Sequence, residues 1–414
     1  METIHLTMRE QQRVAALKKA VRREMTVPEV AYLLGLSERQ VFRLKARFRK
    51  WKERGIAHGN RGRPCRRRLG VQLKERVLRL RKGKYTGFND HHFTEKLSEV
   101  EGISLSRETV RKWLREAEVE AVRKRRRSPH RCRREPMAQE GIMLQADGSF
   151  HNWLEGRGEY LTLIGAIDDA TGWVPEDCFF APHETTLGYL KLFYDLFRKR
   201  GLPLSVYADR HSIFWTGREP TEEEQLLNKR PKTQLGRALD ELGIRLIPAY
   251  SSQAKGRIER LWGTFQDRLV SEMRLKGDRT EAGANVTLKE FIPQHNRKFT
   301  RKPSNPNPAW RPIPPEIDLK QILCIKKTRT VANDNTVAWE GKRLQIPPSK
   351  LKRSFAKREV EVRHLITDQV EVYYKNQRIA RFGPQPARQN ALQSTISHWE
   401  DLRYTQKLSE RQAA

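Results

Sequence analysis

The sequence predicts a multidomain protein: all-α helix-turn-helix units at the N-terminus, a central α/β unit on a mixed sheet, and a small β-barrel at the C-terminus. Three observations carry that expectation. The chain has 414 residues, more than one ordinary domain holds. Its apolar spacing changes near residue 141 from helical to alternating strand and helix, and near residue 320 to strand patterning. Two arginine-rich stretches and one proline-rich stretch fall between these regions. The expected boundaries are a helix-turn-helix domain at 1–58, a basic linker at 59–72, a second helical unit at 73–121 and an arginine-rich linker at 122–140. An α/β core at 141–300, a Pro-rich linker at 301–319, the barrel at 320–384 and a polar tail at 385–414 complete the chain.

Residues 27–44 fit a helix-turn-helix. Ala31 is small where two helices cross, Gly35 suits the turn, and Leu34, Leu36, Val41 and Leu44 make the apolar seam. Ser37 followed by Gln40 is a capping box that starts the second helix. Its expected outward residues are Arg39, Gln40, Arg43 and Arg47, types suited to base edges and phosphates. The following tetrad Arg61-Gly62-Arg63-Pro64 looks like an AT-hook core, in which Arg61 and Arg63 would enter a narrow minor groove; a solvated linker fits those four residues equally. The second helical unit ends on a Ser106 cap with Val110, Trp113 and Leu114 at helical spacing, which resembles another helix-turn-helix with Ser104 in place of the turn glycine. Eight of residues 123–134 are Lys or Arg, a run that cannot pack.

Composition narrows the function. The chain holds 82 Lys+Arg against 50 Asp+Glu, a formal charge of +32, while 37% hydrophobic residues argue for folded units. Double-stranded DNA is the expected partner, because Lys and Arg neutralise its phosphates. No stretch approaches the roughly 20 apolar residues that span a bilayer, and the N-terminus lacks a secretion signal, so a cytoplasmic protein without a membrane partner is expected. Cys65, Cys132, Cys178 and Cys324 are scattered without zinc-site or disulfide spacing.

In the core, strands are expected at 142–147, 160–169, 173–180, 204–209 and 244–248, with helices starting at Leu187, Leu235 and Lys255. The order βββαβαβα describes a mixed sheet with helices on its faces. Asp147 ends the first strand and Asp209 the fourth, so neighbouring strands would bring both carboxylates to one edge. Glu259 lies early in the last helix, about 100° from the buried Ile258. Three hard oxygen donors meeting there would suit Mg²⁺. Two ions about 4 Å apart would activate an attacking oxygen and neutralise a leaving one. Each strand-end aspartate has a structural alternative as a cap; Asp168 and Asp169 read as turn residues, Asp240 and Asp267 as outlying rivals, and His211 as a loop histidine. Lys255 and Arg257, beside the helix start, would favour a scissile phosphate.

The Asp–Asp–Glu placement and the word Ile258-Glu-Arg-Leu-Trp-Gly-Thr-Phe-Gln-Asp-Arg268 resemble the catalytic core of DDE transposases and retroviral-type integrases. With the stretch His58-Gly-Asn-Arg-Gly-Arg-Pro64, the likeness is to bacterial insertion-sequence transposases of the ISNCY type. It extends over nearly the whole chain. It implies an RNase H-like core with Asp147, Asp209 and Glu259 as catalytic residues and Mg²⁺ ligands, with Mn²⁺ able to substitute. It also implies cleavage at element ends, 3′-OH strand transfer into target DNA, binding of terminal inverted repeats, and self-association into a synaptic multimer. Positions 210–258 separate Asp209 from Glu259, an interval longer than is usual in integrases, and no His/Cys zinc module precedes the core. A catalytically inactive DNA-binding regulator and a nuclease that never joins ends are the alternatives.

Overall fold

The computed structural model describes residues 6–58, 69–122, 134–226, 231–249, 256–348 and 352–384. Arg61, Arg63 and Lys255 lie outside the described residues, as do the arginine run 123–133 and the tail. The chain divides into two compact units, Met1–Arg76 and Val77–Ala414.

The first unit is helical. Helices α1 (Met8–Val21), α2 (Val27–Leu34) and α3 (Glu38–Trp51) bury Val14, Leu17, Ala20, Val30, Ala31, Val41 and Phe48 between them. Gly35 turns the chain at φ 63°, a left-handed conformation that favours glycine. The box at α3 is formed: Ser37 N–H donates to Gln40 Oε1 at 3.1 Å, and Gln40 N–H donates to Ser37 Oγ at 3.3 Å. Local chemistry therefore sets the angle of α3.

In the second unit, helices α4 (Val71–Lys82, which begins in the first), α5 (Asp90–Glu99) and α6 (Arg107–Glu116) precede the sheet. Strands β1 (Met143–His151), β2 (Leu161–Asp168), β3 (Phe179–Ala181), β4 (Ser205–Ala208) and β5 (Arg245–Pro248) take the order β3-β2-β1-β4-β5. The β1–β2 and β2–β3 pairs are antiparallel, and β1–β4 and β4–β5 parallel, so the sheet is mixed as expected. Helices α7 (Thr186–Arg200), α8 (Glu222–Leu226), α9 (Gln234–Glu241), α10 (Gly256–Lys276) and α11 (Glu281–Phe299) complete it. One core joins Leu144, Leu163 and Val206 of the sheet to Phe193 of α7, Leu239 of α9, Phe265 of α10 and Ile292 of α11. The expected strand at 173–180 is reduced to β3. Residues 173–178 instead form a loop, where Asn296 of α11 bonds both main-chain groups of Val174.

The short helix α12 (Leu319–Ile322) leads into the C-terminal strands β6 (Ile325–Thr330), β7 (Thr336–Trp339), β8 (Lys342–Gln345), β9 (Glu359–His364), β10 (Val370–Tyr374) and β11 (Gln377–Phe382). No closed barrel is found among the described residues. The described strands form an open four-stranded antiparallel sheet, β11-β10-β9-β6, and a separate β7–β8 hairpin. Val337, Trp339 and Leu344 of the hairpin share a core with Val360, Val362 and Val372 of the sheet, so face-to-face packing buries the apolar residues without closure.

Helix α5 is tied to α10 and α11 by charged groups. Arg268 donates to Glu95 at 2.8 and 3.1 Å, Lys298 reaches Glu95 and Glu99, and Glu272 meets both His92 and Lys96. His295 sits among Phe265, Phe291 and Phe299, and burial, with the charge of Arg268, depresses its pKa to about 4. The folded chain thus keeps His295 neutral, whereas the unfolded histidine titrates near 6.5. Its contribution is full above about pH 6.5 and is lost as pH falls towards about 4, by up to about 3 kcal/mol. Denaturant midpoints measured across that window should fall, and His295→Phe should flatten the fall.

Candidate active site

Asp147 lies within β1 rather than at its end, half-buried. The parallel ladder between β1 and β4 pairs Gln145 with Tyr207 and ends there; Asp147 lies two residues further along β1, and Asp209 just past the end of β4, at the same end of these neighbouring strands. Asp209 follows β4 directly, and its Oδ1 accepts the His211 main-chain N–H at 3.0 Å, which fixes the loop around it.

Helix α10 runs along β1 in three rungs. Ile258 N–H donates to Gln145 Oε1 at 3.2 Å, Trp262 Nε1–H to Asp147 Oδ2 at 3.0 Å, and Gln266 Nε2–H to Ser149 Oγ at 3.3 Å. The alternation of a strand puts residues 145, 147 and 149 on one face, and the helical period puts 258, 262 and 266 on one stripe. Gly165, opposite Asp147 in β2, makes room for this: a Cβ there would lie 2.8 Å from the Trp262 ring and 3.0 Å from Cys178 Sγ. Glu259 begins the helix one turn before Trp262, exposed. It lines an open cleft of about 740 Å³ bounded by α10, the start of α5, Arg107 of α6 and residues 121–122, with Arg260, Gly263 and Asp267.

A fourth carboxylate, Glu184, went unnoticed in the sequence. It lies between β3 and α7, and its carboxyl occupies the place of a side chain on Gly148, where a Cβ would fall 2.8–3.0 Å from it. The hydroxyl of the buried Tyr189 donates to Glu184 Oε1 at 2.5 Å. Burial raises the Glu184 pKa, the Tyr189 bond opposes that rise, and the charges of Asp147 and Asp209 add to it. The available signals were Gly148 beside Asp147 and a Glu-Thr-Thr cap opening a helix. Neither distinguishes a site residue from a helix start.

Among the described residues, no three His, Cys, Asp or Glu side chains gather as a metal-holding group. The charges of Asp147 and Asp209 both act on Glu184, while Glu259 lines the cleft. Their carboxylates are hard donors of the kind Mg²⁺ takes.

Other expected residues divide. Arg257 binds inward: its Nε lies 2.9 Å from Oδ1 of the buried Asp169, and its guanidinium donates to the Arg134 carbonyl. This pair anchors the helix start, because a buried aspartate needs cations nearby. Asp169 also accepts from Gln145 and from the Met137 N–H. Asp168 accepts from the Thr171 hydroxyl and N–H, closing its turn. Asp240 pairs with Lys232 at the surface, and Asp267 accepts from Asn89. On α3, Arg39, Arg43 and Arg47 are exposed, whereas the side-chain oxygen of Gln40 is engaged in the cap. No described helix is long and apolar enough to cross a membrane.

A family profile described as winged helix-turn helix matches residues 13–69. The chain is 34% identical over 378 residues to a Sinorhizobium fredii protein named as transposase y4bF, covering 91% of this chain and 81% of that one. It is 28% identical to the transposase for insertion sequence IS1202 of Streptococcus pneumoniae, over 73% of this chain and 72% of the other. Among solved structures it is similar to the catalytic core domain of BIV integrase, with a TM-score of 0.25 and 20% identity over 36% of this chain and 81% of that chain. It is also similar to the HTLV-2 integrase catalytic core domain in complex with magnesium, with a TM-score of 0.26 and 16% identity over 36% and 85%.

Proposed function

Because the chain belongs to the insertion-sequence transposases, we propose that it cleaves the ends of its element and joins the freed 3′-OH to target DNA, with Asp147, Asp209 and Glu259 as its catalytic carboxylates. The observation that supports this reading is that β1, which bears Asp147, pairs in parallel with β4, which Asp209 directly follows, and that the helix bearing Glu259 is laid along β1.

Mg²⁺ ions held by the carboxylates, with Mn²⁺ as a substitute, would supply activation of the attacking oxygen and neutralisation of the leaving one. The protein's own part is positioning. Trp262 holds Asp147 in place through its indole N–H, and the His211 main chain holds Asp209. Arg257 fixes the first turn of α10 to Asp169 and so sets where Glu259 stands.

The cleft beside Glu259 suits a DNA strand. Arg107 of α6 and Arg260 of α10 line it, both exposed. Gly263, in mid-helix, costs about 1 kcal/mol against alanine, and a Cβ there would meet no atom within 4 Å among the described residues. Arg39, Arg43 and Arg47 of the first unit, with Arg61, Arg63 and Lys255, would supply contacts to repeat and target DNA, and pairing of two ends implies a synaptic multimer.

The test is incubation of the whole protein with labelled duplexes carrying the element's ends, a target plasmid and Mg²⁺. Joined products are expected. Cleavage without joining would mean a nuclease, and retention without cleavage a DNA-binding regulator.

A further inference from the structure

The outward face of α3 is not uniformly basic. Val41, Leu44 and Phe48 face inward, with Val41 and Phe48 buried and Leu44 half-buried. At 100° per residue, the positions farthest from that stripe are Arg39, Phe42, Arg43, Ala46 and Lys50, and all five are exposed. Gln40 and Arg47 stand on the flanks. An aromatic ring and a methyl group therefore sit among three cations, in the middle of the face that a helix-turn-helix presents to DNA. Phe42 is 58% exposed, and the described core of its own unit does not include it.

A purely electrostatic grip on phosphates would gain nothing from an exposed phenyl ring there. The major groove, however, presents one apolar group, the 5-methyl of thymine, beside the acceptors that arginine reads on guanine. A mixed face of Arg, Phe and Ala matches that surface in both chemistry and spacing. Residues 42 and 46 lie one turn apart, about 6 Å along the helix, so they would meet neighbouring base pairs rather than the same one.

Resting on the reading of the first unit as the part that recognises the element's ends, we infer that Phe42, with Ala46 beside it, is a specificity-determining residue that contacts thymine methyl groups in the major groove of the terminal repeat. The arginines supply affinity and guanine contacts, and the ring selects thymine over cytosine and over any base without a methyl group.

Removing the methyl alone tests this. Duplexes are selected from a randomised pool on the whole protein, then resynthesised with deoxyuridine replacing thymidine at one position at a time. Deoxyuridine keeps every hydrogen bond of the pair and deletes only the 5-methyl. For the wild type, at least one position should lose about fourfold in affinity on that replacement, the worth of one buried methyl. Phe42→Ala should bind the thymidine duplex more weakly by a similar or larger factor and should be indifferent to deoxyuridine at the same position. Phe42→Leu, still apolar, should keep part of the discrimination. Because the ring is exposed, the melting temperature of Phe42→Ala should be unchanged.

Wild-type protein insensitive to deoxyuridine everywhere would overturn the inference, as would a Phe42→Ala variant that keeps the sensitivity. Loss of self-association in Phe42→Ala without change in DNA discrimination would also overturn it, assigning the ring, with the exposed Tyr32 and Leu33 of α2, to a protein contact. Arg43→Ala separates this inference from the reading it rests on. If that variant binds the selected duplexes as the wild type does, the first unit does not recognise DNA through α3; if it binds weakly while deoxyuridine has no effect, only the role of Phe42 fails.

Discussion

Asp147→Asn is expected to reduce cleavage and joining of element ends on the order of a thousandfold or more, while the variant still retains end duplexes in a binding assay. The expectation follows from what the substitution removes. One carboxylate oxygen becomes an amide nitrogen of the same size, so packing and the neighbouring strand are preserved, but a hard anionic donor is gone. Stabilisation worth several kcal/mol in the transition state corresponds to that range of rate. The bond from Trp262 gives an internal control, because Nε1–H donates to Oδ2 and an asparagine can still accept through its remaining oxygen. Trp262→Phe, which deletes the donor and keeps the ring, should cost far less than Asp147→Asn. Single-turnover cleavage of a labelled end measures both.

The second large effect is on stability. Arg268 is 6% exposed, makes two bonds to Glu95 and lies over the Phe299 ring at 5.1 Å from its centroid. Burial works against the Glu95 charge, and the bonds from Arg268 and Lys298 overcome it, holding the carboxyl at about 2. Arg268→Ala would leave Glu95 half-compensated and open space beside three aromatic rings. Breaking one side of such a pair costs about 3 kcal/mol, or about 4 °C in melting temperature for a unit of this size. The same variant should loosen α5 from α10, so amide exchange in Asp90–Glu99 should rise more than in the β1–β4 ladder. Calorimetry and exchange measured together would separate this local release from general unfolding.

How much of this was legible in the sequence depended on the range of the interactions. Gly35, the Ser37–Gln40 box and the strand order around Asp147 follow from local chemistry and periodicity, and the fold keeps them. Helix α11 was not anticipated. Pro293 in its interior and Gly283, Asn285 and Thr287 in its first half are poor helix formers, and the helix is held by tertiary contacts instead: Ile292 and Leu288 enter the core, and Asn285 and Asn296 bond the main chain of the β3 region. Closure of the C-terminal strands is not legible from alternation, which reports that one face of a strand is buried and not what covers it. At the candidate site, the spacing and wording that point to Asp147, Asp209 and Glu259 say nothing of Glu184, which lies between β3 and α7. Nor could spacing show that Arg257 turns inward, since the partner that captures it, Asp169, lies in a turn eighty-eight residues earlier, at 169 against 257.

The central claim is that three carboxylates distant in sequence hold divalent ions on DNA. The most direct measurement is electron paramagnetic resonance of Mn²⁺ titrated into the full chain bound to an end duplex, for the wild type and for Glu259→Gln, the member of the set that faces the cleft rather than its partners. About two bound ions per active chain are expected, with weakened binding of at least one in the variant. Unaltered Mn²⁺ binding in Glu259→Gln together with normal joining of ends would contradict the account.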